Sequence, residues 1–379
     1  MSEKRKIVII GSAHPLRGGL ATYNERLAKA FIQAGDDVRI ETFKLQYPSI
    51  LFPGKTQYSE SPAPIDIHIE ASINSINPFN WIKVGRKIRK QNPDIVIVKF
   101  WMPFMAPCFG KIARIIKKKR STKIISIIDN IIPHEKRAGD RMLSNYFVKA
   151  VDGFVAMSKS VLDDLETFDK LKPKVFCPHP LYDNFGEVIP KEIAKQKLGL
   201  DASKKYILFF GFIRDYKGLD LLLEAFAKCT EKDKSLRLLV AGEFYTDSKQ
   251  YFEIIKKHHL EELVHMHNDF IPDEKVVDYF CAADIVVQPY KDATQSGVTQ
   301  IAYHFNKPMI VTDVGGLAEI VPNGKVGFVV SPVVTEIADA MLNFFQNQKE
   351  EEFSSNAAIE KAKYSWDKMV DAIEELCKL

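Results

Sequence analysis

Residues 206–226 read YILFFGFIRDYKGLDLLLEAF, and this stretch decides the fold. It opens on an unbroken apolar run, 206–212, short enough for a strand covered on both faces. A polar turn carrying Arg214 and Lys217 follows and closes on Gly218. Leu219, Leu222, Leu223 and Phe226 then recur at helical spacing and form one apolar stripe. Strand, turn and helix set two cations at the carboxyl end of a buried strand, beside a helix N-terminus. Ligands of open α/β sheets bind at that end, and a helix N-terminus favours an anion. Arg214 can fork onto a phosphate, while Lys217 adds a compact point charge. Many Arg/Lys pairs are only solvated surface groups, but one placed directly after a buried strand reads as an anion site.

The same alternation extends in both directions. Towards the N-terminus, strands are expected at 6–11, 37–43, 94–100, 123–129 and 153–157. Helices are expected at 20–34, 81–90, 104–120, 142–150 and 160–168. The first strand runs into SAHPLRGG, whose Gly18 and Gly19 stand at a helix start where a ligand can approach backbone N–H groups. Its spacing is not the dinucleotide GxGxxG. Residues 45–77, rich in Pro and Ser, read as one long functional loop with little regular structure. The helix at 104–120 ends in Lys111, Arg114, Lys117, Lys118, Lys119 and Arg120. That cluster suits the helix dipole, and it also suits a peripheral contact with anionic lipid. His134 and Glu135 lie in a polar loop after a strand end, which makes His134 a candidate on the acceptor side as well as an ordinary surface residue. The two prolines in 175–183 mark a stiff connector and the expected domain boundary.

Towards the C-terminus, strands are expected at 236–242, 264–270, 284–289, 307–313 and 327–330. Glu243 ends the first of these. Ser296 and Gly297 head a helix and offer N–H groups and a hydroxyl to a phosphate. A Gly-Gly turn leads into Glu319, a carboxylate that could bind ribose hydroxyls or simply complement a helix dipole. The tail reads as helical over 334–346 and from about 357 onward, with Trp366 as an apolar anchor.

Length and composition fit this picture. A chain of 379 residues exceeds one ordinary core, so two domains are expected. Its apolar runs are strand-length and broken by charge, which predicts no membrane span. The opening MSEKRKIVIIG has no signal-peptide pattern. Cys108, Cys177, Cys229, Cys281 and Cys377 are scattered, so neither a disulfide framework nor a zinc site is indicated. These features point to the cytoplasm, and with the basic helix to the inner face of a membrane. A net charge of +4 does not imply nucleic acid. Walker A, HExxH, GxSxG and CxxC patterns are all lacking.

Taken together, FFGFIRDYKGLDLLLEAF, VTDVGGLAEIV and NGKVGFVV resemble the retaining glycosyltransferases of family 4. The resemblance extends to IIGSAHPLRGGLATYNERLAKAF, PHEKRAGDRML and MSKSVLDDL, so it covers nearly the whole chain. It implies an α/β protein of GT-B fold, with two Rossmann-like doubly wound domains facing across a cleft. The acceptor-side domain would span residues 1–184 and the donor-binding domain 185–356, with residues 357–379 returning to the first. The implied donor is a UDP-sugar or GDP-sugar, the acceptor a glycan or lipid-linked molecule, and no metal is expected. Arg214 and Lys217 match the family's pair at the donor pyrophosphate, and Gly18 and Gly19 match its N-terminal glycine loop. The same likeness brings Gly211, Glu243, Ser296, Gly297, Val298, Thr299 and Glu319 to the donor and leaves His134 as the nearest imidazole.

The sequence departs from the family where two glutamates eight residues apart are usual. Ala293 and Ile301 stand there, inside QSGVTQIAY as in a subgroup of the family, which shifts ribose recognition towards Glu319. A second departure is Asp129-Asn130, where relatives often have a His. Competing expectations are a sugar-nucleotide epimerase of the same architecture, whose acids this loop lacks, and a non-catalytic subunit that binds a nucleotide sugar. A periplasmic sugar-binding protein shares the two-lobed shape but needs an export signal.

Overall fold

The computed structural model describes residues 4–48, 56–59, 61–118, 121–133 and 137–379. The chain divides into two compact units, Met1–Pro180 with Ser365–Leu379, and Leu181–Tyr364. The crossings thus fall at 180/181 and 364/365 rather than near 184 and 357. Tyr182 and Tyr364 explain the shift, because Tyr182 packs over Gly297, while Tyr364 lies 5.1 Å from the Tyr303 ring and donates to the Ile320 carbonyl, all within the second unit.

The first unit alternates β1 (Lys6–Ile10), α1 (Gly19–Gln33), β2 (Asp37–Leu45), β3 (His68–Asn74), α2 (Pro78–Gln91), β4 (Ile95–Phe100), α3 (Ala106–Lys117), β5 (Lys123–Ile128), α4 (Asp140–Val148), β6 (Gly153–Ala156), α5 (Lys159–Glu166) and β7 (Lys174–Phe176). The strands form one parallel sheet in the order β3-β2-β1-β4-β5-β6-β7. Every residue of β4, IVIVKF, is buried, as expected for a strand covered on both faces. Asn77 caps α2 by accepting from the N–H groups of Phe79 and Asn80, and Pro78 opens the helix.

Two strands correct the expectations from sequence. β3 lies within the stretch read as structureless, pairing with β2 at the sheet edge. Its burial alternates only partly, so its apolar signal is weak. β7 lies in the expected connector, paired to β6. The basic end of α3 is also more occupied than its composition suggests. Arg114 donates to the carbonyls of Gly110 and Tyr146 and lies 3.8 Å over the Tyr146 ring. Lys117 is paired with Asp152, and Lys119 and Arg120 lie outside the described residues.

Lys99 in β4 is a cation inside this core. Its Nζ is 2.8 Å from the Asp129 carboxylate and 3.5 Å from the centroid of the Tyr23 ring. Burial lowers its pKa despite the Asp129 partner. His179 meets Tyr23 edge-on at 5.1 Å, and burial together with the nearby Lys99 lowers its pKa to about 3, so the imidazole is neutral. Trp366 tilts against Tyr23 at 5.1 Å and anchors the C-terminal helix, Trp366–Lys378, on this unit.

The second unit runs α6 (Lys191–Lys197), β8 (Lys205–Phe210), α7 (Leu219–Lys232), β9 (Leu236–Ala241), α8 (Lys249–Lys257), β10 (Val264–His267), α9 (Asp273–Ala282), β11 (Ile285–Gln288), α10 (Gly297–His304), β12 (Met309–Thr312), α11 (Leu317–Ile320), β13 (Gly327–Val330), α12 (Val334–Gln346) and α13 (Glu350–Glu360). Its parallel sheet is ordered β10-β9-β8-β11-β12-β13. The strand order reverses beside β8, and its neighbour across the reversal is β11. No described helix is long and apolar enough to cross a membrane.

Candidate functional site

The carboxyl ends of β8, β9, β11 and β12 meet where the second sheet reverses its order, the place where doubly wound sheets hold ligands. After β8 the chain passes Gly211, Ile213 and Arg214, turns once as a 3₁₀ segment over Asp215–Lys217, and enters α7 through Gly218. The N–H of Ile213 donates to the Glu243 carbonyl at 2.8 Å, and the N–H of Tyr245 returns to the Ile213 carbonyl at 2.9 Å. These bonds tie the loop after β8 to the loop after β9, with Glu243 buried between them.

Gly218 has φ 69°, and a β-carbon there would lie 2.0 Å from the Pro289 carbonyl oxygen after β11. No L side chain is accommodated without separating the two loops. Gly218→Ala is expected to cost roughly 2 kcal/mol or more in stability, read as a lower thermal midpoint of the second unit. In the loop after β12, a β-carbon on Gly315 would lie 1.5 Å from the Ala293 carbonyl oxygen. The Thr312 hydroxyl donates to the Tyr290 carbonyl, so the loops after β11 and β12 are locked together as well.

Arg214 and Lys217 form no ion pair with any described residue. The Arg214 guanidinium lies 5.1 Å over the Tyr245 ring. Lys217 Nζ is 5.5 Å from the Tyr290 ring centroid and 3.2 Å from the point a Gly211 β-carbon would occupy. Burial, and then the like charge of Arg214, lower the Lys217 pKa to about 8. Two neighbouring cations without a counter-ion at a strand end form a site for a polyanion.

Ser296 and Gly297 open α10 as the sequence suggests. Ser296 makes no side-chain cap, so the N–H groups of the first turn are left for a ligand. The Ser296 hydroxyl is 3.3 Å from the buried Tyr290 hydroxyl. Val298 Cγ2 lies 3.5 Å from the Gly211 β-carbon point, next to Lys217. Thr299 differs from expectation, because its hydroxyl is fully buried and donates to Gln288 at 3.2 Å. Its backbone lies in α10's first turn, but its hydroxyl is taken up by Gln288. Glu319 is exposed in α11, whose approach is set by the Gly315 turn.

Some contributors were not singled out from sequence. Phe212, Tyr245 and Phe270 line up beside Arg214, with Phe212 4.4 Å from Tyr245 and 6.2 Å from Phe270, each at 30° between planes. They follow three different strands, so only Phe212 stood in the deciding stretch. The Tyr182 ring covers Gly297, where a β-carbon would meet it at 2.7 Å. In the first unit, Gly18 precedes α1 with φ 96° and Gly19 is the helix's first residue, again without a side-chain cap. His134 lies outside the described residues.

Comparison with known proteins agrees with this geometry. Residues 17–177 match the family described as Glycosyltransferase Family 4, and residues 190–377 match Glycosyl transferases group 1. A D-inositol 3-phosphate glycosyltransferase of Gordonia bronchialis is 28% identical over 197 residues, 48% of this chain and 42% of the relative. The chain thus spans about half the length of the curated relatives it matches. Among solved structures, a sucrose-phosphate synthase of Thermosynechococcus elongatus superposes with TM-score 0.77 at 16% identity over 99% of this chain and 98% of the other. Anabaena HepE in complex with UDP and glucose gives TM-score 0.75 at 17% identity over 99% and 100%. At these identities the superpositions establish the GT-B fold.

Proposed function

This chain belongs to the family 4 glycosyltransferases, and from that premise we propose that it moves a sugar from a nucleoside-diphosphate donor to a hydroxyl of a glycan or lipid-linked acceptor, with retention of anomeric configuration. The observation that carries this reading is the Arg214–Lys217 pair, two cations with no ion-pair partner among the described residues, at the switch point of the second sheet. They would bind the diphosphate and stabilise the charge that grows on it as the sugar leaves. The α10 N-terminus would take further phosphate oxygens through Gly297 and Val298, Glu319 would bind ribose, and Phe212, Tyr245 and Phe270 offer ring faces to a base.

In this mechanism the acceptor hydroxyl attacks on the face the diphosphate leaves, and a departing phosphate oxygen takes its proton. No strong general base and no metal are then required. The relatives named D-inositol 3-phosphate glycosyltransferase, and HepE with its bound UDP and glucose, support a UDP-sugar donor and a hydroxylated acceptor. Work in envelope polysaccharide or glycolipid synthesis is part of the same proposal.

The test is UDP binding followed across pH. Lys217 sheds its proton as pH rises through about 8. UDP affinity is therefore expected to be full below that value and to weaken above it, with proton uptake on binding near pH 8. Calorimetry in buffers of different ionisation enthalpy reads both quantities. Affinity that stays flat from pH 7 to about 9.5 would remove Lys217 from the diphosphate site.

A further inference from the structure

Helix α2 presents a surface that sugar transfer does not use. Its residues include Lys83, Arg86, Lys87, Arg89 and Lys90 and no carboxylate. That is more positive charge than the surplus of +4 on the entire chain. Val84, Gly85 and Ile88 face inward, and at Gly85 the helix comes so close to α3 that a β-carbon would lie 2.9 Å from Ile115.

The opposite side carries Phe79, Ile82, Lys83, Arg86 and Lys90 at helical spacing along one shallow groove. Phe79 is 84% exposed, and Ile76, just before the helix, is 50% exposed. Glu41 and Glu70 neutralise Lys87 at 2.6 Å, but Lys83, Arg86 and Lys90 pair with no described carboxylate. An apolar tip therefore continues directly into a row of cations roughly 10 Å long.

We infer that this face of α2 docks the protein on an anionic lipid bilayer, with the cations against headgroup phosphates and Phe79 and Ile76 at the acyl-chain boundary. A nucleic-acid backbone would match the cations but leave both apolar side chains in water. A bilayer accommodates both. The inference gives the proposed lipid-linked acceptor a surface to be met on, and it rests on that reading for its purpose alone.

The experiment sediments the full chain with vesicles of pure phosphatidylcholine and with vesicles containing one third phosphatidylglycerol. The protein should partition onto the anionic vesicles only, and lose most of that binding at about 0.5 M salt. The triple reversal K83E/R86E/K90E should weaken partitioning by roughly tenfold or more, while K228E/K232E/K234E in the second unit should not. Phe79→Ser should lower binding to anionic vesicles at low salt, where the cations still act. Circular dichroism and UDP binding, read on each variant, show that it is folded and that the second unit is intact. Equal binding to both vesicle types, no loss in the α2 reversal, or binding to DNA with none to vesicles would each overturn the inference. Loss of UDP binding in the wild type would instead count against the donor reading.

Discussion

Lys217→Ala is expected to lower both UDP affinity and turnover, the latter by roughly a hundredfold or more. The size follows from what the side chain does at each stage. Its ammonium group is half-buried beside Arg214, where burial lowers its pKa to about 8. A diphosphate relieves that like-charge strain in the ground state and does so further as negative charge accumulates on the leaving group. A loss confined to KM would mean that Lys217 only binds, whereas a fall in kcat with a smaller change in KM places it at the developing charge. Lys217→Arg keeps the charge but not the compact shape, and should recover binding better than turnover. Donor turnover measured as UDP release provides the readout.

The second large effect concerns stability. Lys99→Met would leave the Asp129 carboxylate without the cation now 2.8 Å away, at a cost of roughly 3–5 kcal/mol. Replacing both partners, as K99M/D129L, should recover much of it, because two charges no longer need burial. Trp81, Trp101 and Trp366 all lie in the first unit, so tryptophan fluorescence follows its unfolding alone. The midpoint should fall by roughly 10 °C in the single variant. A double variant as unstable as the single one would show that the introduced methionine side chain packs badly, and that the ion pair is not the cause.

How much of this was legible depended on how local each signal is. The strand-turn-helix of residues 206–226 lies in one continuous stretch, and β8, the 3₁₀ turn and α7 follow it closely. The α10 start was readable because Ser-Gly after an apolar strand is itself a local pattern. β3 was missed because an edge strand in a Pro- and Ser-rich segment buries little of one face. Lys99 stood in a plain strand pattern, and nothing in IVIVKF reveals that its partner is Asp129 at the end of the next strand. The ring row of Phe212, Tyr245 and Phe270 required knowing that three strands end side by side. Thr299 shows the reverse case, where residue type suggested a phosphate contact and the fold turned the hydroxyl towards Gln288.

The most direct measurement is a crystal structure of the chain with UDP. The diphosphate should lie between Arg214 and Lys217, with oxygens on the N–H groups at the start of α10. A diphosphate bound elsewhere, with both side chains unengaged, would contradict the account.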